Sequence, residues 1–109
     1  MNRFLFRFGY WTPAQWMSNN THGWDDESSG AFFVKAESAS AALLVGCEVV
    51  ERFVQSLFIQ ERIKEIPSWK ASDFAFWIEE NPSEAFSEEA LRQLPEVTPG
   101  ETPDFSRWI

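Results

Sequence analysis

Residues 3 to 10 alternate, with Phe4, Phe6, Phe8 and Tyr10 on one face and Arg3, Leu5, Arg7 and Gly9 on the other. Period two with aromatic enrichment predicts a β-strand with one face buried and the other mostly exposed. Ala31 to Glu37 repeats the pattern, setting Phe32, Val34 and Ala36 against Phe33, Lys35 and Glu37, and predicts a second strand. A third is predicted over residues 73–79, where Phe74, Phe76 and Ile78 share a side, and Asn81-Pro82 ends it. Between the second and third strands the period lengthens. Ala42, Leu43, Gly46, Val50, Phe53 and Leu57 form a helical stripe, with Glu48, Glu51, Arg52 and Gln55 on the wet side. This predicts the longest helix, about 38–58, capped by Ser38 or Ser40. Gly46 costs about 1 kcal/mol against alanine inside a helix. Its place on the apolar stripe implies that the helix lies close against the sheet there. Ile59 to Ile66 fits either a strand or a ragged helical extension, and Pro67 closes either.

The connections carry their own signals. Thr12, Pro13 and Gln15 have the spacing of a capping box with proline at the first helical position. Trp11 and Trp16 stand where a hydrophobic staple would close over that helix start. The helix is expected to be brief, because Ser18-Asn19-Asn20 offers the backbone competing turn hydrogen bonds. Residues 18 to 30 then read as a surface loop. Ser87 caps a short helix, about 87–94, with an acidic first turn and a stop before Pro95. Residues 95–109 read as an extended tail whose Phe105 and Trp108 dock on the body. The order predicts an α+β fold: a two-layer sandwich with a small, mostly antiparallel sheet of three to four strands and the long helix on one face. A right-handed crossover joins strand 31–37 to the strand after the helix. No second core or linker is visible, so residues 1–109 are expected to form a single domain.

Composition narrows the function classes. The 109 residues include eleven Phe and six Trp, too much burial potential for a disordered chain. A single Cys excludes a disulfide scaffold and fits a reducing interior. Arg7 interrupts any leader-like apolar stretch, and the longest apolar run, Ala41 to Cys47, is far short of the ~20 residues that span a bilayer. A cytoplasmic protein with no membrane association is expected. Asn19-Asn20-Thr21 fits a glycosylation acceptor only by chance in that setting. The net charge of −8 argues against nucleic-acid binding, which needs a basic face. That excess is local: residues 71–109 hold nine acidic and two basic side chains, a net −7.

Catalytic residue types cluster at one place, His22-Gly23-Trp24-Asp25-Asp26-Glu27. The carboxylates of Asp25, Asp26 and Glu27 suit a hard cation, with His22 as a fourth ligand or a general base. The spacing matches no known metal loop, and adjacent acids in a Gly/Ser loop are commonly just solvated. Cys47 falls mid-helix beside Glu48, which raises rather than lowers a thiol pKa, so it reads as a structural thiol. Arg3 and Arg7 either line a solvated sheet face or pair with Glu37 across the strands. Phosphate loops, dinucleotide turns, paired Cys or His metal spacings and nucleophile elbows are absent, and no cofactor is expected.

Three functional readings remain. The first is a protein that binds another protein, one of basic character, through its acidic C-terminal third. Glu79, Glu80, Glu84, Glu88 and Glu89 would form that surface, and the 22–27 loop is a further candidate partner contact, with Trp24 beside its acids as an apolar handle. Trp69, Trp77, Phe86 and Trp108 are candidate aromatic anchors there, with core the better place for Trp77 and Phe86. A small, acidic, aromatic α+β chain is similar in kind to bacterial immunity or inhibitor proteins that mask a basic toxin, a likeness of character carried by no motif. The second reading is a small metal-dependent enzyme or metal-binding protein using the 22–27 loop. The third is a homo-oligomer that buries its surplus aromatics between subunits. A charge run that is merely a solubilising face is the plain alternative to the first.

Overall fold

A computed structural model describes residues 1–108; Ile109, the last residue of the expected tail, lies outside the described residues. The chain is an α+β protein with a four-stranded mixed sheet in the order β3-β1-β2-β4. The first alternation becomes β1 (Asn2–Tyr10) and the second becomes β2 (Ser28–Ala36). They pair antiparallel over their full length, with Phe6 opposite Phe32 and Phe4 opposite Val34. β3 (Phe76–Glu79) pairs antiparallel with the other edge of β1, and β4 (Glu96–Val97) pairs parallel with β2. β2 and β3 therefore run the same way with β1 between them. The connection joining them must step over β1.

That connection is mostly α2 (Ala39–Gln60), capped by Ser38, whose hydroxyl accepts from the Ala41 N–H at 3.2 Å. Its buried stripe runs Ala42, Gly46, Val49, Val50, Phe53, Val54, Leu57 and Phe58, repeating at three and four residues. Gly46 sits over the Phe6 ring: a methyl group placed there would lie 2.8 Å from Cγ and closer still to Cδ2 and Cε2. The close approach expected from the sequence is thus made against Phe6, which is fully buried beside Phe8, Phe32 and Phe76.

Residues 59–66 do not form a strand. The helix runs on to Gln60 and then stops in a Schellman arrangement, in which Arg62 N–H bonds the Ile59 carbonyl (3.0 Å) and Ile63 N–H the Phe58 carbonyl (3.1 Å). Arg62 takes the left-handed conformation, φ 58°, that glycine usually holds, and Ile63 turns back onto the core. Residues 73–79 are strand only from Phe76. Trp69 anchors the segment before it, buried with its indole N–H donating to the Gly9 carbonyl at 2.8 Å.

The outer sheet face departs from the expected solvated pattern. Leu5 and Phe33 are buried on it. Arg3 lies 4.0 Å above the Phe33 ring and pairs with Glu96 at 2.6 Å, while Lys35 reaches the same carboxylate at 3.6 Å. Arg7 pairs with Glu79 at 3.1 Å. Neither arginine uses Glu37, which lies beyond the last residue paired with β1. Asn81-Pro82 both ends β3 and starts a single turn, α3 (Pro82–Ala85), followed by α4 (Glu88–Gln93) with Ser87 as its cap. Residues 95–108 are not extended throughout: Glu96–Val97 is β4 and Phe105–Arg107 a 3-10 turn, from which Phe105 and Trp108 pack on Phe53 (5.8 and 5.3 Å between ring centres), and Trp108 also meets Phe32 at 4.9 Å. Among the described residues, no helix is long and apolar enough to cross a membrane.

Candidate functional site

α1 (Pro13–His22) starts with the capping box that its sequence encodes: Gln15 N–H donates to Thr12 Oγ1 at 3.2 Å, and Thr12 N–H to Gln15 Oε1 at 2.9 Å. It does not stop at Ser18. It continues to His22 and ends on Gly23 at φ 70°. The Asn19 side chain, expected to compete with the helix, is spent elsewhere: it donates to the Asp26 carbonyl (2.9 Å) and accepts from the Asp26 N–H (3.0 Å). This two-bond clasp folds the loop 23–27 back beside α1. β2 begins earlier than expected, at Ser28, so the surface loop is only five residues long. The Trp11 ring meets Phe74 edge-on at 4.6 Å and the Trp16 ring meets Phe58 at 5.6 Å.

Between α1, the loop and residues 72–74 lies an open cleft of about 360 Å³. Its charged lining is acidic throughout: Asp25, Asp26 and Glu27 from the loop and Asp73 from the crossover. Its rings are Trp11, Trp16, Trp24 and Phe74, with Asn19 and Asn20 as neutral polar groups. None of these four acids makes an ion pair among the described residues. The structure thus brings Asp25, Asp26, Glu27 and Trp24 together as a wall. His22 is not in it; the imidazole lies exposed at the end of α1, stacked on Trp24 at 4.2 Å. Among the described residues, no group of three or more His, Cys, Asp and Glu side chains is placed to hold a metal ion. Asp73, Trp11, Trp16 and Phe74 were not legible as site residues. Asp73 is far from the loop in sequence, and only the crossover brings it there.

The acidic last third divides into spent and unspent charge. Glu79 accepts from Trp77 Nε1 and Arg7 Nη1, each at 3.1 Å. Those hydrogen bonds, Trp77's first and Arg7's second, hold its carboxyl below the usual glutamate range. The Arg7 guanidinium also stands 4.9 Å from the Trp77 ring and 5.1 Å from the Phe86 ring. Trp77 is 41% exposed and Phe86 half-buried, so neither is the core residue expected; each flanks Arg7 instead. Trp69 is core and not an interface anchor. Glu88 pairs with Arg92 and Glu96 with Arg3 and Lys35. Glu80, Glu84 and Glu89 are exposed and make no ion pair among the described residues. Trp24 lies beside the loop acids, in the lining of the α1 cleft.

The Arg7–Glu79 pair gives a pH prediction. A carboxyl held below its unfolded value stabilises the fold above the ordinary glutamate pKa, ~4.3, and that contribution fades as pH falls through the folded value. Glu79→Gln is therefore expected to flatten the acid limb of the melting-temperature profile while moving the neutral-pH slope little. An unchanged acid limb would show that the Trp77 and Arg7 contacts do not discriminate between the two protonation states.

Cys47 is half-buried rather than fully buried. Burial pushes its thiol pKa up, Lys70 pulls it down and Glu48 pushes it up again, for a net rise. Comparison with protein-family models, with curated proteins and with solved structures finds no match.

Proposed function

We propose that this protein acts by binding another protein that presents a basic surface. One observation carries the reading: charge is unequally spent. The cations of the sheet, Arg3, Arg7 and Lys35, are each held by a carboxylate within the chain. Glu80, Glu84 and Glu89 around the C-terminal helices, and the four acids of the α1 cleft, make no ion pair among the described residues. A one-signed surface with few internal counter-charges steers an oppositely charged partner and rejects nucleic acid. Inhibition of a basic enzyme is one concrete form of such an activity.

Capture from a native lysate tests it. Wild-type protein is expected to retain a partner of high isoelectric point, and the triple variant Glu80→Lys, Glu84→Lys, Glu89→Lys to lose about tenfold or more of that retention. A partner held undiminished by the triple variant, or one of acidic character, would sink the reading. All three positions are exposed, so folding of the variant can be verified independently by circular dichroism.

A further inference from the structure

We infer that the α1 cleft receives an arginine side chain of the basic partner; the inference rests on the reading just given and locates its anchor. The cleft combines two surfaces that ordinarily exclude each other's ligands. A neutral apolar group entering it would strip water from carboxylates that make no ion pair among the described residues, and an anion would be repelled by all four. A cation gains from both kinds of lining, since the rings of Trp11, Trp16 and Trp24 and the carboxylates of Asp25 and Asp73 border the same cleft. A guanidinium fits better than an ammonium, because its plane stacks on an indole while its edge forks to a carboxylate.

The molecule already recognises an arginine in this manner. Arg7 lies over the rings of Trp77 and Phe86 and bonds Glu79, and Arg3 lies over Phe33 and bonds Glu96. The α1 cleft repeats the same ingredients, rings and carboxylates, with no guanidinium from the chain itself among its lining residues. The Asn19–Asp26 clasp holds the loop in place, so little ordering is needed on binding.

The probe is the tripeptide acetyl-Gly-Arg-Gly-amide, with the neutral citrulline peptide as its isosteric control, followed through the indole N–H signals in ¹H–¹⁵N spectra. The arginine peptide is expected to move the Trp11, Trp16 and Trp24 signals saturably. Trp69, whose N–H is buried on the Gly9 carbonyl, should stay in place. Asp25→Asn combined with Asp73→Asn should weaken the titration about fivefold or more, and both positions are exposed enough to leave the fold intact. Three outcomes would overturn the inference: no saturable movement, equal movement with the citrulline peptide, or movement confined to Trp77. If the peptide fails at the cleft while the lysine triple variant still releases the partner, the anchor is wrong and the protein-binding reading stands. If the peptide titrates as expected while the captured partner ignores the triple variant, the cleft binds arginine but the C-terminal glutamates are not the steering surface.

Discussion

Gly46→Ala is expected to destabilise the protein by about 2 kcal/mol, although alanine is the better helix former by about 1 kcal/mol. The added methyl meets three ring atoms of Phe6 at distances that real side chains do not tolerate, and these atoms belong to a ring and not to a flexible tip. Overpacking of this kind costs about 1–3 kcal/mol and sometimes more, because the ring is itself pinned by Phe8, Phe32 and Phe76. A double-mutant cycle separates this cause from a backbone effect. Phe6→Ala alone should cost about 3–5 kcal/mol, and the double variant clearly less than the sum, since the alanine methyl then fills part of the space the ring vacates. Urea denaturation reads all three. Additive effects would mean that the glycine serves some other purpose than admitting Phe6.

Trp69→Ala is expected to cost about 4 kcal/mol, a large fraction of the stability typical of a domain this size. The indole is 3% exposed and packs on Phe8 and Phe76, and its N–H satisfies the carbonyl of the buried Gly9. Trp69→Phe keeps most of the ring volume but leaves that carbonyl without its donor, and should cost about 2 kcal/mol. Chemical denaturation monitored by far-ultraviolet circular dichroism checks both. A loss below about 1 kcal/mol for the alanine variant would show that the segment after α2 is not clamped to β1 by this residue.

The parts of the fold that were legible in the sequence are those where pattern and burial coincide. β1 and α2 alternate at periods of two and 3.6 residues, and the structure buries the stripes so defined. β2 was read three residues short because Ser28-Ser29-Gly30 has no alternation to see. Those residues are strand through their pairing with Tyr10, Gly9 and Phe8, and Gly30 is small because the Phe8 ring tip would lie 2.6 Å from any Cβ there. α1 was read short because asparagine side chains usually compete with a helix; Asn19 bonds instead to Asp26, a partner that only the loop's fold supplies. Nothing in residues 59–66 announces that Arg62 would adopt a left-handed conformation, since that turn is stabilised by the packing of Ile63.

The candidate site was half legible. Asp25, Asp26, Glu27 and Trp24 are neighbours in sequence and remain neighbours in space. Their complement, Asp73 with Trp11 and Trp16, depends on the crossover and on where α1 leaves the sheet, neither of which leaves a local trace. Counting acids located the excess in the last third but could not show that Glu79, Glu88 and Glu96 answer the chain's own arginines and lysine.

The strand order has a consequence in time. β1 meets β2 across residues 11–27, whereas β3 can add only after α2 and the longer crossover have closed, so early in folding one edge of a Phe-rich strand lies open. Such an edge is a template for another chain's strand and a seed for aggregation. Arg7 interrupts the aromatic run on β1 within the stretch that β3 later covers, and until Glu79 arrives to neutralise it, it is a bare charge there. A charge so placed is expected to act as a gatekeeper against a second chain pairing on that edge.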